Sequence, residues 1–406
     1  MIPSFASTCL NWLRSILESR QKSNIDVLDG VRALACLCVV TLHISLITTH
    51  DITLWSPGDM PPVIAAVAMA GDTGITLFFI LSGFLLFLPY AKALLFEQGD
   101  WPSMRRFYLR RALRILPAYY LSLVLMVVIY RHQYLGLDHL PQWAAFLTLF
   151  MDSFSGTYKQ INGPFWTLAV EWQFYLLLPW LALGMSLLVR RGATLAQRIR
   201  RLLLCLGVLI VWGIFTRFAG SYFSGNPSVS WLLPRQVLNG IISLFYGAQI
   251  PGIHGKFLED FAVGMLVCTG YTLARHLPAD SGYNRWLSRL APWGFAGSLL
   301  WLLLMAMWKY SQEAIGTWPL LDLFGSMYDY LSEFGFALGY GLLMAGVLFG
   351  PVALKRVVGW TGLRWFGAIS YGVYMWHLLL LESFTGLVVE HLQGWPPPLL
   401  YSLYWG

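Results

Sequence analysis

Runs of about twenty apolar residues, parted by short basic segments, govern what this chain can become. A bilayer core of about 30 Å needs about 20 apolar residues as helix. Such runs lie near 31–49, 74–96, 113–130, 165–189, 202–219, 258–274, 292–309, 331–350 and 366–389. A tenth opens at 397 and is cut by the chain end at Gly406, so a fragment, or a missing last helix, is expected. Only 12% of the residues are charged and 57% are hydrophobic, whereas a soluble domain carries roughly 25% charged residues. That is too little polar surface to cover a soluble fold of this size. Disorder and a disulfide scaffold are excluded by the same composition. The expected fold class is therefore an all-α polytopic integral membrane protein of about ten transmembrane helices. Residues 26–406 form the membrane domain, and 1–25 form an N-terminal cytoplasmic or interfacial segment.

The formal charge of +7 does not point to nucleic acid, because the basic residues fall in clusters between apolar runs, as membrane topology is written. With a cytoplasmic N-terminus and alternating sides, 21 of the 27 Lys and Arg residues flank the cytoplasmic ends. Arg131, Lys159, Arg217, Arg235, Lys256 and Lys309 fall outside. The stretch 143–155 is apolar but short and is read as interfacial or re-entrant. Counted as a span, it would move Arg190–Arg201 to the outer side. The first 25 residues lack the apolar core of a signal peptide. Phe5, Leu10, Leu13, Ile16 and Leu17 instead suggest a short interfacial helix. Cys9, Cys36, Cys38, Cys205 and Cys268 have no zinc-site spacing, so neither metal nor disulfide is expected.

Ionisable groups inside a membrane are expensive, so each is a functional hypothesis. Arg32 and His43 are 11 residues apart, about 16 Å and three turns along a helix. They share a face, with the cation at one boundary and the imidazole deep inside. That suits a long anionic ligand whose reactive end reaches His43. The plain alternative is a snorkelling Arg and a His that bridges helices. In Gly71-Asp72-Thr73-Gly74, the glycines allow close backbone approach and Asp72 sits at a helix N-terminus. Ser82-Gly83 suits tight helix packing. Arg105, Arg106, Arg110, Arg111 and Arg114 exceed what orientation requires. Arg111 and Arg114, one turn apart, suit bidentate phosphate contacts, although anionic headgroups would also attract them. Glu171 lies inside a span, where a carboxylate is paired or neutralised. Tyr371, Tyr374 and His377 form a drifting polar stripe, equally readable as an interhelical hydrogen-bond network.

Together these segments resemble the membrane-bound acyltransferase 3 family. The matches are Leu28-Asp29-Gly30-Val31-Arg32-Ala33-Leu34-Ala35 with Arg-x10-His, and Gly74-x3-Phe78-Phe79-Ile80-Leu81-Ser82-Gly83-Phe84. They continue with Arg111-x-x-Arg114-Ile115-x-Pro117-x-Tyr119-Tyr120, Trp166-x-Leu168-x3-Trp172-x2-Tyr175 and Ser370-Tyr371-x2-Tyr374-x2-His377. Any one is weak, but five in order form a specific signal.

The resemblance implies an O-acyltransferase that moves an acyl group, often acetyl, from cytoplasmic acyl-coenzyme A. The acceptor is a hydroxyl on an extracytoplasmic glycan or small molecule. On this reading acyl-coenzyme A, with acetyl-coenzyme A foremost, is the donor substrate, and no cofactor stays bound. The lipid bilayer of a bacterial cytoplasmic membrane is the setting, and nucleic acid is not a partner. Arg111, Arg114 and Arg32 bind the donor phosphates and His43 is the general base, a step worth roughly 10²–10⁴-fold. An acyl-His43 intermediate is the alternative form. Asp72, Ser82, Glu171, Tyr371, Tyr374 and His377 line or support the cavity, Cys36 only packs, and the long segment 220–257 is expected, from its length, to help form the acceptor site.

The main rival is a transporter or flippase for a small anionic or glycan-linked substrate. Inverted repeats would support it, and none is evident by eye. A membrane acyltransferase class pairing His with Asp four residues on does not fit His132 and Asp138. A nonenzymatic partner that kept the fold is disfavoured by the intact Arg32, His43, Arg111 and Arg114, whereas a lipid-binding protein fits the charge alone.

Overall fold

The computed structural model describes residues 26–51, 60–96, 101–226, 234–247, 255–392 and 394–405, which are helical with no strand. In chain order the α-helices are α1 (Val27–Leu46), α2 (Pro62–Met69), α3 (Gly74–Leu95), α4 (Met104–Ile129) and α5 (Leu140–Thr148). Then come α6 (Phe165–Val189), α7 (Leu195–Gly225), α8 (Arg235–Phe245), α9 (Leu258–His276) and α10 (Gly282–Glu313). The last are α11 (Pro319–Asp322), α12 (Tyr328–Phe349), α13 (Val352–Val358), α14 (Thr361–Leu387) and α15 (Pro397–Leu403).

Among the described residues, 7 helical stretches are long and apolar enough to cross a membrane. They are Val27–Thr49, Pro62–Leu95, Met104–Ile129, Phe165–Val189, Leu195–Gly225, Gly282–Glu313 and Gly325–Phe349. Helices α9 and α14, with 19 and 27 residues, match spanning length. They carry Glu259, Asp260, Arg364, His377 and Glu382, which lower their apolar character. Each of the nine runs expected from the sequence coincides with a helix. Where the tenth run was expected to begin lies α15, with 7 residues. The stretch 143–155 holds the 9-residue α5 and a 3₁₀ turn at Met151–Ser153, too short to span. The expected interfacial helix within 1–25 lies outside the described residues, as do 227–233 and 248–254 of the long loop.

Helix starts differ from the hydropathy reading for a local reason. The third run was expected to begin at 113, yet α4 begins at Met104, because the Ser103 hydroxyl accepts from the Arg106 amide at 3.4 Å. Thr194 and Ser281 cap α7 and α10 in the same way. A cap satisfies amides that would otherwise lack partners, so the helix extends into polar sequence that hydropathy ignores. The arginine cluster is therefore helical.

Close backbone contact holds the centre together. Helices α3 and α9 cross at Gly83 and Gly264. A Cβ at Gly83 would sit 2.2 Å from Phe261 O, and one at Gly264 would sit 2.1 Å from Ile80 O. Small residues let backbones meet where lipid offers no hydrophobic drive for association. Around this crossing Phe174 stacks on Phe261 with centroids 3.8 Å apart, and Phe84, Phe87 and Tyr90 are fully buried. Helix α14 lies along α1, where a Cβ at Gly367 would strike Asp29 O at 1.8 Å. Between α7 and α9, Arg217 and Glu259 form an ion pair in which each side chain is 1% exposed. The free cysteines Cys36, Cys38, Cys205 and Cys268 form no disulfide.

Candidate active site

Helix α1 carries a polar group near each end, and α14 on one side and α3 on the other hold it in place. At the first end Arg32 donates to Asp29 Oδ1 at 2.6 Å, an i, i+3 pair. Arg32 also lies within electrostatic reach of Arg114 and Glu171. On α6, Glu171 Oε1 accepts from Ser82 of α3 at 2.6 Å and from the hydroxyl of Tyr175. Arg111 stands over the rings of Phe107 and Tyr175, 5.9 and 5.8 Å from their centroids. Its Nε is buried without a partner among the described residues. Arg114 is exposed and makes no hydrogen bond or ion pair with a described residue. Tyr371 reaches across to Ile115 O at 3.4 Å, tying α14 to α4 beside these arginines. Three guanidinium groups thus meet two carboxylates, leaving positive charge in excess and donors still to be satisfied. Such a cluster suits a multiply charged anion.

At the other end, His43 lies in the last turn of α1, and its Nδ1 is 2.9 Å from Val39 O. The same Nδ1 is 3.2 Å from Nε2 of His377. His377 Nδ1 is in turn 2.8 Å from Tyr374 O. A carbonyl only accepts, so the neutral form of each ring carries its proton on Nδ1. His377 then presents the Nε2 lone pair to His43, and the Nε2 lone pair of His43 is left for other work. The rings meet edge to face, with centroids 4.9 Å apart. Tyr374 links this pair to α6 through its hydroxyl, 2.8 Å from Thr167 Oγ1.

Asp72 does not cap a helix. It lies in the 3₁₀ turn Ala70–Thr73 and pairs with Lys309 of α10. It is within electrostatic reach of His43, as is Lys159. A Cβ at Gly71 would come 2.5 Å from Cys38 O, and one at Gly74 the same distance from Ala35 O, so this turn sits against α1.

The structure therefore brings Arg32, Arg111, Arg114, Ser82, Glu171 and Tyr371 together at one end. His43, Tyr374 and His377 meet at the other, with Asp72 beside them. Sequence reading missed Asp29 and Tyr175 as fixing groups, although spacings of three and four residues from Arg32 and Glu171 are detectable helix pairs. It also missed Lys159 and Lys309, for which no local pattern exists. Cys36 is buried and contacts Ser370 O at 3.7 Å.

Comparison with known proteins identifies the family. A family model described as "Acyltransferase domain" matches residues 25–405. A Bacillus subtilis protein, YrhL, whose name assigns it peptidoglycan O-acetylation, is 27% identical over 370 residues, 87% of this chain and 48% of that protein. The peptidoglycan O-acetyltransferase OatA of Listeria monocytogenes is 24% identical over 387 residues, 91% of this chain and 51% of its own length. The chain thus spans about half the length of these relatives. No solved structure matches. Apolar helices and bacterial relatives together make this a multi-pass bacterial membrane protein.

Proposed function

This chain belongs to that acyltransferase family, and from that premise we propose that it transfers an acyl group, acetyl foremost, from acyl-coenzyme A to a glycan hydroxyl. The observation that carries the reading is the division of α1: an arginine cluster at one end, a histidine pair at the other. Arg32 and His43, 11 residues apart, are separated by about 16 Å of helix. That length accommodates a pantetheine arm, with its phosphates among the arginines and its thioester beside the imidazole. The excess of basic residues on the arginine side supports a cytoplasmic donor end. The names of the relatives favour a peptidoglycan-like acceptor on the opposite side.

In this mechanism Arg111 and Arg114 bind phosphate oxygens, with Arg32 steadied by Asp29 as a third contact. Glu171, fixed by Ser82 and Tyr175, sets the spacing of the cluster. His43 Nε2 removes the proton from the acceptor hydroxyl as its oxygen attacks the thioester carbonyl. The carbon–sulfur bond of the tetrahedral species then breaks, and the proton passes from His43 to the leaving thiolate. His377 holds the His43 ring in the tautomer that leaves Nε2 basic, as second partners of catalytic imidazoles do.

Purified protein in nanodiscs, given labelled acetyl-coenzyme A and a peptidoglycan-derived oligosaccharide, tests this directly. Thiol release matched by label on the glycan is expected. Its absence in folded protein, or full transfer by His43→Ala, overturns the reading. Label trapped on the protein without acceptor would replace direct transfer with an acyl-enzyme.

A further inference from the structure

We propose that Lys159 selects acceptors bearing a negative charge, a carboxylate or a phosphate substituent on the glycan, and holds that charge beside His43. The inference rests on the acyl-transfer reading above. It starts from the segment between the 3₁₀ turn at Met151–Ser153 and α6.

That segment is clamped onto α14 on either side of His377 in sequence, at Met375 and Leu378. Asn162 Nδ2 donates to Met375 O at 3.0 Å, two residues before His377. A Cβ at Gly163 would lie 2.8 Å from Leu378 Cδ2, so this stretch rests directly on α14. Thr157 Oγ1 donates to Met151 O at 2.8 Å, closing the base of the loop. Tyr158 is buried, its ring centroid 6.0 Å from that of Trp166. Lys159 then adopts a left-handed backbone with φ 56°. A residue with a Cβ holds this conformation only where its surroundings dictate it, and such positions gather at functional sites. Nζ stands 5.2 Å from the Tyr158 ring centroid, which limits where the ammonium can go.

Charge accounting identifies the unspent group. Asp72 and Lys309 act directly on Lys159, and the carboxylate of Glu333 in turn acts on both Asp72 and Lys309 but not on Lys159. Asp72 is committed to Lys309. Lys159 is exposed and makes no hydrogen bond or ion pair with a described residue. Lys256, the other lysine of this region, is already held by Asp152 and by Ser153 at 2.9 Å. Crowding protein atoms push the Lys159 ammonium below its ordinary pKa while Asp72 raises it. Its charge is felt at His43. A cation that rests on the Tyr158 ring and has no ion-pair partner among the described residues is left available to a ligand. It would orient an anionic acceptor so that a neighbouring hydroxyl meets His43 Nε2, and orientation is a main source of rate.

The test uses the full chain in nanodiscs of neutral lipid with acetyl-coenzyme A and three oligosaccharides of equal length. One is neutral, one carries a carboxylate and one a phosphate. The readout is kcat/KM for each acceptor in wild type, Lys159→Asn and Lys159→Arg, at low and high salt. Asn tolerates the left-handed backbone, which guards against misfolding. Wild type should favour at least one anionic acceptor about ten-fold or more, the worth of a charge-assisted hydrogen bond. The ratio should persist in Lys159→Arg, fall to about one in Lys159→Asn, and shrink with salt. Whichever anionic arm is preferred identifies the substituent. A preference that survives in Lys159→Asn, or equal use of all three acceptors by wild type, overturns the inference alone. Absence of thiol release with every acceptor defeats the acyl-transfer reading, and this inference with it.

Discussion

Nδ1 of His43 and Nε2 of His377 lie 3.2 Å apart, although 334 positions separate them in the chain. Both rings have Nδ1 against a backbone carbonyl, so the proton positions are dictated by α1 and α14 themselves. Losing His43 should cost roughly 10²–10⁴-fold in kcat, the ordinary worth of a general base. Losing His377 should cost less. One neutral hydrogen bond is worth about 0.5–1.5 kcal/mol, or about 2- to 13-fold in kcat. Steady-state kinetics of His43→Ala and His377→Ala check the order. A His377 variant as inactive as the His43 variant would mean that the two exchange roles.

Acid should abolish turnover in a defined way. Protonating the pair turns the Nε2 lone pair of His43 into a donor and removes the base. The kcat/KM profile should therefore fall with falling pH. In His43→Ala the residual rate should lose that limb. An unchanged acid limb in His43→Ala would assign the titration to another group.

Glu171 is an acceptor for two hydroxyls, those of Ser82 and Tyr175. Glu171→Ala strands both inside the membrane domain, a cost of about 1–3 kcal/mol for a buried unsatisfied group. Glu171→Gln keeps an acceptor oxygen and should cost less. The check is Tm in detergent, where the Ala variant should melt lower than the Gln variant.

The helix crossing at Gly83 should not accept a methyl group. With Phe261 O 2.2 Å from the new Cβ, Gly83→Ala forces α3 and α9 apart, at about 1–3 kcal/mol for overpacking. Gly372 on α14 has nothing within 4 Å of its Cβ position. Gly372→Ala should gain about 0.5–1 kcal/mol from the lower backbone entropy cost of the helix. Melting curves of the two variants should move in opposite directions.

Arg217 and Glu259, each 1% exposed, form a pair whose halves are costly to separate. Removing one partner of a buried pair destabilises by about 3–5 kcal/mol, whereas replacing both with apolar residues is often neutral. Arg217→Met alone should therefore lower Tm sharply, and adding Glu259→Leu should restore only part of it, because Glu333 and Asp260 also interact with Arg217.

The spans were readable because hydropathy and basic flanks are local properties of the chain. Arg32, His43, Arg111 and Arg114 could be named because their spacing places each on a helix face. What escaped was any relationship made across the bundle. Lys309 meets Asp72 at a separation of 237 residues, and Arg217 meets Glu259 across two helices. Neither pairing leaves a periodic trace. Asp72 lies just before the start of α3, as its place ahead of Gly74 implies, but its pairing with Lys309 on α10 leaves no local signature. Lys159 escaped because its interest lies in a clamped loop and in a charge that has no ion-pair partner among the described residues.

The central claim is that donor binding and chemistry occupy opposite ends of α1. The decisive measurement is coenzyme A affinity by calorimetry beside single-turnover thiol release, for His43→Ala and for Arg111→Ala/Arg114→Ala. The account predicts a wild-type Kd without turnover for the histidine variant. It predicts a Kd weakened about ten-fold or more for the arginine variant, as expected when charge-assisted contacts are lost. Normal affinity in the arginine variant, or lost affinity in the histidine variant, would contradict it.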